Sequence, residues 1–315
     1  MKKLVYAFIT AILLAGCDYV ELPVPPQTGT ANLVCDTTFT FSQVQTTKHL
    51  LIEEFTGHYC TNCPQAAWYL QQLKATYGEE LVLVAIHPSL GSLTDPQSNG
   101  DNSYSTDWRI EEGQQLYTNF AMPGFIPIGM LSRTDDGSGN NYHYHTTWQT
   151  KVPAMMGQAA DISIRNEANY NATEDVVCVK VEVEVLNSLT ADMYLTHYLV
   201  EDSIADYQKI AVGGEASGSV HPDYPAGDVS NYYHRHVLRD VHGHVGVREG
   251  DGSGNGSILG ALLKNGSFSS GEKFQYVVSF DNLDASWSRS HLYVVSFVHD
   301  NTTGDVLQVS ETHVQ

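Results

Sequence analysis

Residues 50 to 78 constrain the fold more than any other stretch of the chain. An apolar run of strand length, LLIEEF (50 to 55), is followed by a short loop, then by Cys60-Thr61-Asn62-Cys63, then by PQAAWYLQQLKATYG (64 to 78). Ala67, Leu70, Leu73 and Tyr77 recur at helical spacing, Pro64 suits a first turn and Gly78 suits an end, so the spacing predicts a helix there. LVLVAI (81 to 86) is a continuous apolar run, which predicts a strand covered on both faces. Two cysteines at a strand-to-helix junction admit three chemistries: a redox centre, half of a metal site, or a structural disulfide.

A thiol at a helix start feels unpaired backbone N–H groups and the positive end of the helix dipole, and both favour thiolate. Cys60, placed before the helix, is expected to be within reach of solvent and to act as nucleophile. Cys63, one turn on, is expected to resolve the mixed disulfide. Structural zinc takes four ligands, commonly two such pairs, and no second C-x-x-C exists to join His58 and His87. No metal and no cofactor is expected.

The N-terminus points to an export route. Lys2 and Lys3 precede an apolar run from Leu4 to Leu14 and then Leu14-Ala15-Gly16-Cys17, which reads as a signal peptide over 1–16 ending in a lipobox. The run falls short of the ~20 apolar residues that a spanning helix needs. The lipobox resembles that of bacterial lipoproteins, which implies acylation of Cys17 and a membrane anchor. Residues 17–45, with Pro23, Pro25 and Pro26, read as a lipidated tether and lead-in. Removing Lys2 and Lys3 leaves 14 basic against 36 acidic residues, a net charge of −22, which disfavours nucleic acid as a partner. An envelope location permits disulfides. With Cys17 acylated, four cysteines remain; Cys60 and Cys63 form the local pair, and Cys35 with Cys178 follows by elimination.

Beyond the cysteine pair, a polar loop leads to STDWRIEEGQQLYTNF, a predicted helix with Thr106 or Ser105 as N-cap. GFIPIGML (124 to 131) reads as a strand broken by Pro127, and TWQTKVPAMMGQ (147 to 158) as a helix interrupted at Pro153. From about residue 159 the pattern changes to alternating runs: ADISIRN, VVCVKVEVEV, MYLTHYLVE, YYHRHVLRDV, KFQYVVSF, HLYVVSFV and VLQVSETHV. In the second, Val177, Val179, Val181, Val183 and Val185 share one face, with Lys180, Glu182 and Glu184 on the other. Seven such runs between Gly, Asn, Asp and Ser turns predict an immunoglobulin-like β-sandwich over 159–315.

Strand, loop, C-x-x-C, helix, strand and an Ile126-Pro127 strand together resemble the thioredoxin superfamily over 46–158. The fold class expected is thus α/β plus all-β. The wording EEFTGHYCTNCPQAA, YYHRHVLRDVHGHVG and VVSFVHDNTTGDVLQ resembles, more narrowly, the Omp28-related outer-membrane lipoproteins of Bacteroidota. That resemblance implies an outer-membrane location, periplasmic or surface-facing, and an adhesin or receptor role. The thioredoxin likeness implies that Glu54 is a buried acid with a raised pKa beneath the cysteines, able to exchange a proton with Cys63. The opposite register, with Glu53 inward and Glu54 in solvent, is also open because adjacent strand residues face opposite sides. It also implies that Pro127 is cis, where the default is trans, leaving the Ile126 backbone to pair with an extended substrate. His58 is either an imidazolium that steadies thiolate or a surface loop residue. Tyr59 before the first cysteine, Thr61-Asn62 between them and Pro64 after them depart from redox-active thioredoxins, so oxidant and reductant both stay open.

His143/His145, His234/His236 and His242/His244 form H-x-H pairs, a geometry for zinc or copper on one strand face, or simply surface histidines. DGSGNGSI (251 to 258) starts like a calcium loop, but Leu262 stands where a bidentate glutamate belongs, so it reads as a turn, as does DDGSGNN (135 to 141). Two functions follow from these readings: thiol–disulfide exchange with envelope proteins through Cys60 and Cys63, or binding of an envelope or host partner by the β-rich half with the pair as a structural disulfide.

Overall fold

The two apolar runs at the start pair with each other. Leu50–Phe55 (β1) lies parallel to Leu81–Ile86 (β2), in register from Leu50 opposite Leu81 to Phe55 opposite Ile86, and every residue of β1 is buried. The helix Cys63–Tyr77 (α1) crosses between them, with Pro64 in its first turn, where the missing N–H costs no helical bond. The computed structural model describes residues 35–41, 43–98, 100–101, 103–135, 137–211, 221–242 and 260–315. The signal peptide, Cys17, the tether as far as residue 34, His244 and the 251–258 turn lie outside the described residues.

Further on come Glu111–Asn119 (α2), Ile128–Leu131 (β3), His143–Tyr144 (β4) and Trp148–Met155 (α3, containing Pro153). The second helix starts later than the Thr106 or Ser105 expected; Ile110 is its N-cap, with extended backbone. The β-rich half holds Ile162–Asn171 (β5), Val176–Val185 (β6), Leu189–Glu201 (β7), Ile204–Ile210 (β8), Gly227–His234 (β9), Val237–His242 (β10), Ala261–Phe268 (β11), Lys273–Phe280 (β12), Leu292–Asp300 (β13) and Val306–His313 (β14). The YYHRHVLRDV run is thus split between β9 and β10, at Arg235 and His236, where His236 takes a positive φ of 46°.

The chain is therefore an α/β unit joined to a β-rich unit, and one sheet runs through both. Its order is β14-β13-β7-β10-β2-β1-β3-β4. β10 meets β2 in parallel at Val237 and Ala85, and β3 returns antiparallel to β1. The long β7 pairs with β13 along one edge and shares its other edge between β10 and β11. A second sheet, β12-β6-β5, packs on this one through Ile164, Val181, Val183 and Phe274 against Met193, Leu195 and Val298. The valines of β6 supply that face, as their period of two requires.

One buried cluster includes Leu51, Phe55 and Ile128 together with Tyr198, Val200, Phe297 and Val309, so the two halves share a core. Opposite it, Leu50, Ile52, Ala66, Leu70, Trp148 and Val152 pack α1 and α3 on the sheet. A small third sheet, the β8–β9 hairpin, stands apart from both. Cys35 is bonded to Cys178 of β6, and Lys180 reaches Asp36 and the Thr38 carbonyl, which fastens the lead-in to the three-stranded sheet.

Candidate functional site

The loop between β1 and α1 is held tightly on both sides. Gly57 is required here: a Cβ would stand 2.4 Å from the Leu93 carbonyl oxygen and 2.7 Å from Thr94 Cγ2, contacts no other residue tolerates. The Tyr59 N–H donates to that Leu93 oxygen at 3.1 Å. Cys60 and Cys63 are joined by a disulfide, with Cys63 the first residue of α1 and Asn62 its N-cap. Cys60 Sγ lies 3.8 Å from the Ile126 carbonyl oxygen, and the Ile126–Pro127 bond is cis.

Both cysteines are buried, at 3% and 2% exposure, so the expected solvent access of Cys60 is corrected. They belong to the buried cluster of Phe55, Tyr117, Met122 and Ile126, and the loop that carries them is bonded on its other side by the β8–β9 hairpin. The Lys209 N–H donates to the His58 carbonyl at 2.8 Å and the Ala211 N–H to the Thr61 carbonyl at 3.1 Å. The buried Gln208 amide nitrogen lies 3.3 Å from the Gly57 oxygen and 3.1 Å from the Cys60 oxygen. The Lys209 ammonium sits 4.4 Å over the Tyr59 ring and contacts its hydroxyl. No sequence signal marks these residues, because 148 positions separate Gln208 from Cys60.

Glu53 and Glu54 are both buried, and they face opposite ways. Glu53 accepts two bonds from Arg133 at 2.7 Å and one from the Tyr198 hydroxyl at 2.8 Å. Burial opposes the Arg133 charge, but Glu53 and Tyr198 outweigh it and hold the guanidinium above its ordinary range. Glu54 lies on the α1 side. It lines a cavity of about 50 Å³ with Cys63, His87, Gln208, Tyr232 and His234. Burial pushes its carboxyl up to about 8, and its Oε1 has no partner among the described residues. The inward-facing acid of the cysteine site is therefore Glu54, and the outward alternative fails because both faces of β1 are covered.

His58 is neither of the expected alternatives. It is buried, its Nε2 lies 3.2 Å from the Asp95 carbonyl, and burial lowers its pKa against that bond, so the ring is neutral and ties the loop to Asp95. The H-x-H pairs diverge. His143 meets the Thr134 carbonyl while His145 packs on Trp148. His234 faces the cavity, lowered by burial to about 4. His236 sits between Asp202 and Glu311; burial opposes its charge, but the two carboxylates raise it to about 9. His242 lies beside His197. Among the described residues, no three His, Cys, Asp or Glu side chains group as a metal site. In the 135–141 stretch, Asp135 accepts from the N–H groups of Gly137 and Gly139, the bonding of a turn.

A sequence model of the family described as "Outer membrane protein Omp28" matches residues 113–315. That span takes in Pro127 and the hairpin but not the cysteine pair. No curated protein matches the sequence. Among solved structures, HBP35 of Porphyromonas gingivalis aligns over 86% of this chain and 77% of its own, with 16% identity and a TM-score of 0.57. That likeness concerns the fold alone. A domain of the outer membrane lipoprotein Omp28 from the same organism aligns over 50% of this chain and 89% of its own, at 19% identity and a TM-score of 0.26. Among the described residues no helix is long and apolar enough to cross a membrane. With its match extending over well more than half of the chain, this protein belongs to the Omp28 family of outer membrane proteins.

Proposed function

We propose that this outer membrane protein exchanges thiols and disulfides with envelope proteins through Cys60 and Cys63. One observation carries the reading: the pair is bonded at the start of α1, with a protonated Glu54 facing the same small cavity as Cys63. A client thiolate attacks Cys60 Sγ and the Cys60–Cys63 bond breaks. Cys63 leaves as thiolate and takes the proton of the Glu54 carboxyl. A second client thiolate then attacks the mixed disulfide and releases Cys60; the client dithiol is oxidised to a disulfide and the pair is reduced. The reverse sequence reduces a client, with the Glu54 carboxylate taking the Cys63 proton. The helix start favours the Cys60 thiolate.

In this reading residues 46–158 form a thioredoxin-like unit, supported by the parallel β1–α1–β2 arrangement and by the Ile126–Pro127 loop against Cys60. Residues 159–315 form an immunoglobulin-like sandwich, supported by two antiparallel sheets packed face to face. Acylated Cys17 anchors the chain in the membrane, as the lipobox suggests. The test is equilibration of the folded protein in glutathione buffers, followed by alkylation and mass measurement, with Cys63→Ser as a trap. We expect interconversion within the glutathione range and covalent adducts on Cys60. A pair that stays oxidised below about −300 mV, with no adduct trapped, would overturn it.

A second reading is favoured by the burial of both cysteines and by a family match that starts after them. There the protein is an adhesin or receptor whose β-rich half carries the contacts, and the pair only stabilises. It expects that Cys60→Ser with Cys63→Ser retains partner binding.

A further inference from the structure

Among the described residues, the β8–β9 hairpin forms a two-stranded sheet of its own. It joins neither large sheet, and among the described residues its own buried apolar cluster is Ile210, Val229 and Tyr232, with Tyr224 at the margin. Its contacts with the body run mainly through polar and aromatic side chains, Gln208, Tyr207 and His234 against Gly57, Tyr104 and Trp108, so opening it exposes little of the shared apolar cores. Yet its edge carries the bonds that close the cysteine site. Its partners are a row of carbonyls: His58 and Thr61 accept the main-chain N–H groups of Lys209 and Ala211, while Gly57 and Cys60, which also accept the Cys60 and Cys63 N–H groups within the turn, meet the Gln208 amide.

We propose that this carbonyl row is a recognition edge for an extended segment of a client protein, and that residues 208–211 occupy it in the resting state. The proposal rests on the exchange reading above and adds to it the partner's chemistry. β8 itself shows what the edge accepts. Gln208 supplies an amide donor to Gly57 and Cys60. Lys209 supplies a main-chain donor to His58 and a cation above Tyr59, 3.5 Å from Asp228. Ala211, a small side chain 2% exposed, supplies the second main-chain donor. The client segment is thus extended, with an amide or hydroxyl donor, then a basic residue, then a small residue two positions on. A basic client also suits a chain whose formal charge is −20. While β8 is seated the Cys60 sulfur is shielded; when the client strand replaces it, the sulfur is open to the client's own thiolate.

The experiment compares the rate at which glutathione reduces the Cys60–Cys63 bond in the wild type, in Gln208→Ala, and in Gln208→Ala with Ala211→Pro, which also removes the N–H bonded to Thr61. Circular dichroism verifies folding, and Gln208→Ala alone serves if the double variant does not fold. Loss of two to three bonds should raise the rate by about tenfold. A synthetic peptide of residues 204–211 added in trans should slow the opened variant again, and the same peptide with Lys209→Glu should not. Equal, measurable rates in all three proteins, or no effect of the peptide on the opened variant, would overturn this proposal and leave the exchange reading standing. Absence of exchange in every protein, opened ones included, would overturn both.

Discussion

The two faces of β1 put the same side chain to opposite uses. Glu53 and Glu54 are neighbours, both buried, yet one is a closed ion pair and the other a carboxylic acid. On the Glu53 side, Arg133 and Tyr198 meet the carboxylate directly, and Phe297 and Phe120 cover the guanidinium at 4.9 and 5.2 Å. Three segments, β1, the turn after β3, and β7, are thereby locked together. On the Glu54 side Oε1 has no partner among the described residues, and burial pushes the carboxyl up so that the group keeps its proton. Burial by itself does not decide what an acid does; the partner it is buried with does.

The largest test breaks the closed face. Arg133→Ala leaves Glu53 buried and unpaired and opens a cavity against Phe297, so unfolding in urea should show a loss of about 5 kcal/mol. A loss under about 1 kcal/mol would mean that the pair does not hold the halves together. The next test inverts the other face. Glu54 has a folded pKa above its unfolded value, so its contribution is complete below about pH 4.5 and is lost as pH rises toward 8. Glu54→Gln removes that liability. It should be more stable than wild type by about 3 kcal/mol at pH 7 and equal to it near pH 4.5, while exchange by the cysteine pair slows. Greater stability with lost exchange is the signature of a group kept for chemistry.

The contrast was half legible in the sequence. LLIEEF and LVLVAI became strands with the boundaries their apolar runs suggest, and α1 starts and ends one residue earlier than expected. The sequence pattern places one glutamate inward and the other in solvent, whereas the structure buries both because both faces of β1 are covered. The partners were not legible. Arg133 and Tyr198 are 80 and 145 positions from Glu53, and no local pattern encodes such a meeting. β8 and β11 escaped for another reason. IADYQKI and ALLKNGSF alternate poorly, with only two buried residues each, since a hairpin apart from the main sheets and an edge strand bury little. The bonds that β8 makes to the Cys60 loop were missed with it, and the thiol was expected in solvent.

A third test separates the two faces by pH. His197, beside Tyr198 on β7, is lowered to about 3 by burial and contacts Ser296 at 2.8 Å. With a folded pKa below the unfolded one, its contribution is present above about pH 6.5 and is lost as pH falls toward 3. His234 behaves alike, whereas Glu54 and His236 weaken the alkaline side. Stability should therefore fall in both directions. His197→Gln should recover about 2 kcal/mol at pH 5 and nothing at pH 8; recovery at both values would mean that the side chain acts through packing and not through its proton.

The smallest test asks how much of the closed face belongs to the ion pair alone. The Tyr198 hydroxyl donates to Glu53 and accepts from Arg133 at 2.8 Å each, while its ring packs edge-on against Phe297. Tyr198→Phe keeps the ring and removes only the hydroxyl. Glu53 retains its two bonds from Arg133, so neither charge is stranded, and denaturant unfolding should register about 1 kcal/mol. A loss approaching that of Arg133→Ala would show that the carboxylate, guanidinium and phenol act as one unit in which no two members suffice. The contrast between the faces of β1 would then lie in a completed network on one side and its absence on the other, with the cation only one of its parts.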